Sequence, residues 1–229
     1  MNIRLGKISI SVARKNIKNV HLTVHPPEGR VTLTAPINTR TDVLRAYAIS
    51  KLAWIKGQQK KLEGQARQKP RQFIERESHY VWGRRYLMTV VQEDVKPTVT
   101  LSNKRINLVV RPGSSYEKRS EVIHEWHKSL MHEVVPDLIK KWERKLGVKV
   151  SCYYLQRMKT RWGSCNYAQG NIRLNTELVK KPKDLLEYVV VHEMAHLLEP
   201  THSNRFLEIL DKYYPSWREA RLELNELPL

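Results

Sequence analysis

The chain has 229 residues, of which 41% are hydrophobic and 28% are charged. This balance is typical of a soluble globular protein, excludes wholesale disorder, and fits one large domain or two small ones. The formal net charge is +18, and residues 1–80 carry +11 of it, with 16 Lys and Arg against 5 Asp and Glu. Such a field either attracts polyanions, such as nucleic acid, nucleotides or acidic membrane surfaces, or simply keeps a basic surface solvated.

The cysteine content and the lack of long apolar runs predict a cytoplasmic protein. The two cysteines, Cys152 and Cys165, form no CxxC pair, which suits a reducing compartment and argues against a disulfide framework. The basic start of the sequence has no apolar segment of signal-peptide length. Since no run of 18 apolar residues occurs, we expect no membrane-spanning segment and no membrane partner.

The first half of the chain is predicted to be rich in short strands, because apolar and polar residues alternate there. Three strands are expected first: Lys7–Val12, Val20–Val24 and Arg30–Ala35. A hairpin turn is expected at residues 25–29, and a helix begins at Thr39 or Thr41 and runs into a basic stretch that ends at Pro70. Four more strands follow: His79–Trp82, Tyr86–Gln92, Thr98–Leu101 and Arg105–Val110.

The second half is predicted to be mainly helical. Residues 116–146 form one long helix, bent at Pro136 and ended by Gly147. A β-rich segment, a turn and a short strand are expected next: 148–158, 163–170 and 171–174. Three helices close the chain, at about 183–198, 201–213 and 216–224. No internal repeat is evident in the sequence.

The segment 189–198 contains the pattern H-E-x-x-H among apolar residues. His192 and His196 lie one helical turn apart on the same face, so both imidazoles can reach one metal ion. Glu193 follows the first histidine, where its carboxylate can reach a metal-bound water without binding the metal. The alternative is a solvent-facing His and Glu pair, which the apolar surroundings disfavour.

A catalytic zinc ion takes three protein ligands and keeps one position for water. His202 is the natural third ligand, because Pro200 ends the first helix and Thr201 can cap the next one. The spacing superficially matches the metzincin form, but Glu199 occupies its glycine position and no methionine follows Met194. Nearby carboxylates could accept the second ring N–H of a ligand histidine: Glu187, Glu199, Glu208 and Asp211.

Four segments together resemble the YgjP-like metallopeptidase-domain family, which is distantly similar to the SprT-like and WLM proteases. The segments are Arg161-Trp162-Gly163-Ser164-Cys165, Asn171-Ile172-Arg173-Leu174-Asn175, His192-Glu193-Met194-Ala195-His196 and His202-Ser203-Asn204-Arg205-Phe206. The resemblance covers nearly the whole chain and implies an α+β zincin fold of the minigluzincin type. In that fold a small sheet precedes the active-site helix, and a following helix carries the third ligand. We therefore predict a β-rich basic N-terminal region with one helix over residues 1–113 and a zinc-binding catalytic domain over 114–229.

A basic segment ahead of the motif is the candidate substrate site. Residues 156–164 hold three cations, an indole and a hydroxyl, and a glycine allows close backbone approach. These groups suit an anionic transition state or a triphosphate; the alternative is an exposed basic hairpin with a structural tryptophan. The candidate residues are Arg157, Lys159, Arg161, Trp162, Gly163 and Ser164.

Three functions remain open at this point. The first is a metallopeptidase with one zinc ion on His192, His196 and His202 and with Glu193 as the general base. The second, which the resemblance also implies, is a nucleotide pyrophosphatase on the same metal site, acting on UTP or a similar substrate. The third is a nucleic-acid-associated protein that docks through its basic N-terminal region. Because no nucleic-acid-binding motif is evident, such docking would depend mainly on phosphate charge.

Overall fold

The computed structural model describes residues 2–25, 29–64 and 71–226. Most of the hairpin turn predicted at 25–29 and the end of the basic stretch near Pro70 lie outside these residues. The chain divides between residues 67 and 68 into two compact units. None of the helices in the described ranges is long and apolar enough to cross a membrane.

The first unit is a four-stranded sheet with two helices. Its strands are β1 (Asn2–Leu5), β2 (Ile8–Lys15), β3 (His21–His25) and β4 (Arg30–Pro36). Their order is β1-β2-β4-β3, with β2 and β4 parallel and the other pairs antiparallel. The helices are α1 (Thr41–Ser50) and α2 (Leu52–Gly64). They correspond to the single predicted helix, which is interrupted where Lys51 leaves the helical conformation (φ −98°, ψ 6°).

The second unit begins with a sheet of the same topology. Its strands are β5 (Ser78–Val81), β6 (Arg84–Gln92), β7 (Thr98–Leu101) and β8 (Arg105–Val110). Their order is β5-β6-β8-β7, with only β6 and β8 parallel. In both sheets the strand before the helix buries alternate residues: Val31, Leu33 and Ala35 in β4, and Ile106, Leu108 and Val110 in β8. The chain therefore does contain a structural repeat, which the sequence hides because the strands share alternation and not residue identity.

The long helix α3 (Tyr116–Leu146) joins this sheet to the rest of the second unit. The Ser115 side chain caps its start by accepting a hydrogen bond from the Lys118 backbone N–H, and Gly147 ends it at φ 67°, as predicted. Ile123 of α3 belongs to the core of the β5–β8 sheet, while Met131 belongs to the larger core that follows. The domain boundary predicted between residues 113 and 114 therefore falls inside the second unit.

The remainder of the second unit is a small sheet followed by helices. Strands β9 (Cys152–Gln156), β10 (Gly163–Asn166) and β11 (Asn171–Asn175) lie in the order β10-β11-β9. Part of the turn predicted at 163–170 is thus a strand, since β10 pairs antiparallel with β11. A 3-10 helix (Thr176–Lys180) leads to α4 (Lys183–Ala195), α5 (Asn204–Tyr213) and α6 (Trp217–Glu226). The predicted α+β class, with a small sheet before the motif-bearing helix, is confirmed.

Candidate metal centre

Three histidine side chains converge where α4 ends. His192 lies in the last turn of α4, His196 is its C-cap residue, and His202 lies in the connection to α5. One ring nitrogen from each lies within 4.8 Å of the other two, and the Nε2 atoms of His192 and His202 are 3.1 Å apart. Across the described ranges, these residues form the only such cluster of three His, Cys, Asp or Glu side chains.

The donor set fits a divalent cation. Tetrahedral zinc with Zn–N bonds of 2.0–2.1 Å places its ligand nitrogens roughly 3.3 Å from one another. The 3.1 Å separation of the Nε2 atoms of His192 and His202 is close to that value. Burial lowers the pKa of His192 to about 3, with His196 and His202 adding to the effect, and burial also lowers the pKa of His196. Neutral imidazoles offer the lone pairs that a metal needs.

The connection between α4 and α5 differs from the prediction in how it places His202. Helix α4 ends at Ala195, before Pro200, and a tightened turn follows in which the Leu198 N–H donates to the carbonyl of Ala195. Thr201 was predicted to cap the next helix, and this is wrong: the Ser203 side chain accepts the hydrogen bond from the Phe206 N–H at the start of α5. The Thr201 hydroxyl instead donates to the Glu199 carboxylate. His202 therefore lies one residue before the cap.

A backbone carbonyl, and not one of the predicted carboxylates, orients His196. Its Nδ1 lies 3.2 Å from the carbonyl oxygen of Glu199, so Nδ1 carries the proton and Nε2 is left with its lone pair. The side chain of Glu187 instead accepts from Lys141 and Trp142, and Asp211 accepts from Trp217 and Arg218. Glu208 is exposed. The Nδ1 atom of His192 is buried, without a hydrogen-bond partner among the described residues.

Phe206 forms an apolar floor beneath the three imidazoles. It is fully buried, and its ring centroid lies 5.1, 4.5 and 4.9 Å from those of His192, His196 and His202. Sequence analysis did not assign it this role. The available signal was its place near the start of a helix whose apolar residues share one face, the same face that includes the buried Leu210.

Glu193, the residue that follows His192 in α4, is a buried carboxylate. It is 6% exposed, and burial raises its pKa to about 8, while the charge of Arg161 acts in the opposite direction. Its side chain lies against Gly163, at the start of β10. A Cβ atom added there would overlap Oε1 and would lie only 2.7 Å from Cγ and 2.8 Å from Cδ. With the carboxylate in this position, only glycine fits at residue 163.

A comparison with known protein families identifies the family of the chain. The sequence profile of the YgjP-like metallopeptidase domain matches residues 18–227. The chain belongs to this family. Membership makes it a metal-dependent hydrolase and implies a divalent metal ion, in keeping with the α+β zincin fold expected from the resemblance.

Two solved structures of metallopeptidase zymogens are similar to part of this YgjP-like chain. Abylysin of Pyrococcus abyssi is 23% identical, with 40% of this chain and 91% of that chain covered and a TM-score of 0.38. Jannalysin of Methanocaldococcus jannaschii is 22% identical, with 39% and 92% covered and a TM-score of 0.35. No curated protein sequence matches the chain.

The structure separates the predicted substrate residues of this YgjP-like chain into two groups. Gly163 contacts the Glu193 carboxylate, and the charge of Arg161 acts on it. Arg157 instead pairs with Glu177 at 3.3 Å. Of the other candidates, Lys159 is exposed, Trp162 packs on the main core, and Ser164 lines a shallow depression with Tyr154 and Arg173.

The cysteine nearest to the site is not activated as a nucleophile. Burial, and then the charge of Glu193, raise the pKa of Cys165 to about 11. At neutral pH its sulfur is therefore a protonated thiol, and the thiolate is the reactive form in cysteine hydrolases. Glu193 and the three histidines are therefore the candidate groups for the chemistry of this YgjP-like site.

Proposed function

We propose that the chain is a peptidase that uses one zinc ion on His192, His196 and His202, with Glu193 as the general base. The observation that carries the proposal is the convergence of three imidazoles, with the buried carboxylate of Glu193 directly after the first of them in the chain. When bound, the ion supplies Lewis-acid polarisation of the scissile carbonyl and lowers the pKa of a water to about 7. Glu193 accepts a proton from the attacking water and passes it to the leaving amine.

The position of β10 supports an extended peptide as the substrate. In the order β10-β11-β9, β10 is an edge strand with one paired neighbour. Its first residue, Gly163, lies against Glu193, so the open edge of the strand begins at the general base. An extended peptide can add to such an edge by main-chain hydrogen bonds, which would hold its backbone beside the carboxylate.

Metal analysis and a comparison of substrates test this proposal. We expect one zinc ion per purified chain, and a large loss of zinc in His196→Ala. A denatured-protein mixture should be cleaved by the wild type and by Glu208→Gln, an exposed matched control, but not by Glu193→Gln. A wild type without zinc, or a His196→Ala variant that retains it, would overturn the metal assignment.

Hydrolysis of UTP or a similar nucleotide is the second candidate, favoured by the exposed Arg161, whose charge reaches Glu193. An exposed guanidinium beside the general base could bind a phosphate. This function would be favoured over the first if the wild type released pyrophosphate from UTP but cleaved no proteins. Glu193→Gln should then lose the release of pyrophosphate.

Nucleic-acid docking is the third candidate, and it rests on the +11 charge of residues 1–80. It predicts DNA or RNA binding that weakens steeply as the salt concentration rises. Fluorescence anisotropy with labelled oligonucleotides at several salt concentrations checks it, and binding that is absent or independent of salt would rule it out.

A further inference from the structure

The loop before β10 has no strand or helix of its own. Residues 157–162 connect β9 to β10 and contain all three cations of the basic segment. This loop leads directly into Gly163, the residue that lies against the Glu193 carboxylate. The loop and the pairing of Gly163 with Leu174 in β11 together place Gly163, and the contact with Gly163 limits where the Glu193 carboxylate can lie.

One buried side chain, Asn175, binds this loop from the end of β11. It is fully buried, and its Nδ2 donates to the carbonyls of Met158 and Arg161, both at 2.8 Å. Its Oδ1 accepts from the backbone N–H of Met158 at 3.3 Å and of Glu177 at 3.1 Å. Its own backbone N–H donates to the carbonyl of Trp162 at 2.8 Å. Both donors and both acceptor positions of the amide are thus in use.

The ion pair between Arg157 and Glu177 also reaches this loop, but it constrains the loop less. The Arg157 side chain is 62% exposed, and an ion pair in such a position contributes little. The hydrogen bonds of Asn175 are buried, where a broken bond leaves a polar group unsatisfied at a larger cost. Asn175 holds the backbone of the loop at Met158, Arg161 and Trp162, and the packing of the Trp162 side chain on the main core adds to this.

We propose that Asn175 is the positioning residue of the site: it fixes residues 158–162 of the loop so that Gly163 lies against Glu193 and sets the direction of its carboxylate. This inference rests on the proposed function, for which Glu193 is the general base. Asn175 does not touch the reacting atoms, and its effect passes through Gly163.

Asn175→Asp tests the role, because it removes the two donors that hold the loop and retains the acceptor that caps the 3-10 helix. We expect kcat on a peptide substrate to fall by about 10–10²-fold, since small misplacements of a catalytic group cost this much. KM should change by less than about threefold and zinc content should stay at one ion, because the ligands lie on other segments. Asn175→Ser, which introduces no buried charge, should behave in the same direction.

Amide hydrogen exchange gives a second readout that does not depend on activity. In Asn175→Asp, exchange of residues 158–163 should rise at least tenfold, while residues 183–195 of α4 should not change. Ile172→Ala is the matched control, because Ile172 is fully buried in the same strand and packs in the core. It should destabilise the protein without changing kcat or the exchange of the loop.

The outcomes separate this inference from the proposed function. An inactive wild type, or an active Glu193→Gln, refutes the proposed function, and the exchange experiment still decides whether Asn175 holds the loop. A wild type that is active, with unchanged kcat and loop exchange in Asn175→Asp, overturns the positioning role alone. If Asn175→Asp and Asn175→Ser both unfold while Ile172→Ala folds, Asn175 serves the fold as a whole, which also overturns it.

Discussion

Gly163→Ala should disable the site through one added methyl group. The new Cβ would overlap Oε1 of Glu193 and lie 2.7 Å from Cγ, whereas ordinary van der Waals contact begins at 3.4 Å. The carboxylate or the strand must therefore move by about 1 Å, a shift that costs roughly 10²-fold in rate. This corresponds to about 2.7 kcal/mol of transition-state stabilisation. The backbone conformation at residue 163 is one that alanine can adopt, so the effect comes from the contact alone.

The assay is kcat/KM on a quenched fluorescent peptide, with zinc content and the unfolding temperature measured on the same samples. We expect zinc content to remain at one ion per chain, because no ligand lies on β10. Gly57→Ala is the matched control: apart from its chain neighbours and the backbone of its own helix, no described atom lies within 4 Å of the added Cβ, and alanine in a helix is favoured over glycine by about 1 kcal/mol. If Gly163→Ala retained the full kcat/KM of the wild type, Gly163 would not position Glu193.

Three further predictions concern Glu193, the Phe206 floor and the cap of α5. In metal-free protein, Glu193→Gln should stabilise the fold relative to wild type, and increasingly so as pH rises from about 5 to about 8. The pKa of Glu193 is raised from 4.5 to about 8, so folding favours the protonated carboxyl and the wild type loses this contribution to stability at higher pH. Urea unfolding at several pH values checks this, and a stability difference from wild type that does not change with pH would contradict it. Phe206→Ala should lower stability by about 3–5 kcal/mol and weaken zinc binding, because it empties the fully buried floor under the histidines. Unfolding measures the loss of stability, and zinc titration with a competing chelator measures the affinity. A variant with the zinc affinity of the wild type would show that the floor does not matter to the metal. Ser203→Ala should lower the free energy of unfolding by about 1 kcal/mol because it removes the cap of α5, and Thr201→Ala should lower it by less. A larger loss of stability in Thr201→Ala than in Ser203→Ala would contradict the observed cap.

The sequence predicted most reliably what depends on local spacing. His192 and His196 are one helical turn apart, so a helix at this segment was enough to bring their side chains together. The sequence likewise predicted strands at β4 and β8, and the structure buries alternate residues in both. In these cases the period of the backbone alone decides which side chains share a face.

Features that depend on tertiary contacts were not predictable in the same way. The hydrogen bonds of Asn175 join residues 14 and 17 positions apart in the chain, and no local pattern indicates them. The contact of Gly163 with Glu193 joins the edge strand to α4 across 30 positions and is visible only once both are placed. The cap of α5 could have been Thr201 or Ser203 by residue type, and the fold selects Ser203.

One cleavage experiment tests most directly the claim that the chain is a peptidase with Glu193 as its general base. A denatured-protein mixture is incubated with zinc-loaded wild type or zinc-loaded Glu193→Gln, and new N-termini are counted by mass spectrometry. The wild type should generate new termini, and Glu193→Gln should generate them about 10²–10⁴-fold more slowly, because it cannot accept the proton of the attacking water. Equal rates for the two proteins would contradict the role of Glu193. A zinc-loaded wild type that generates no new termini would contradict the assignment of the chain as a peptidase.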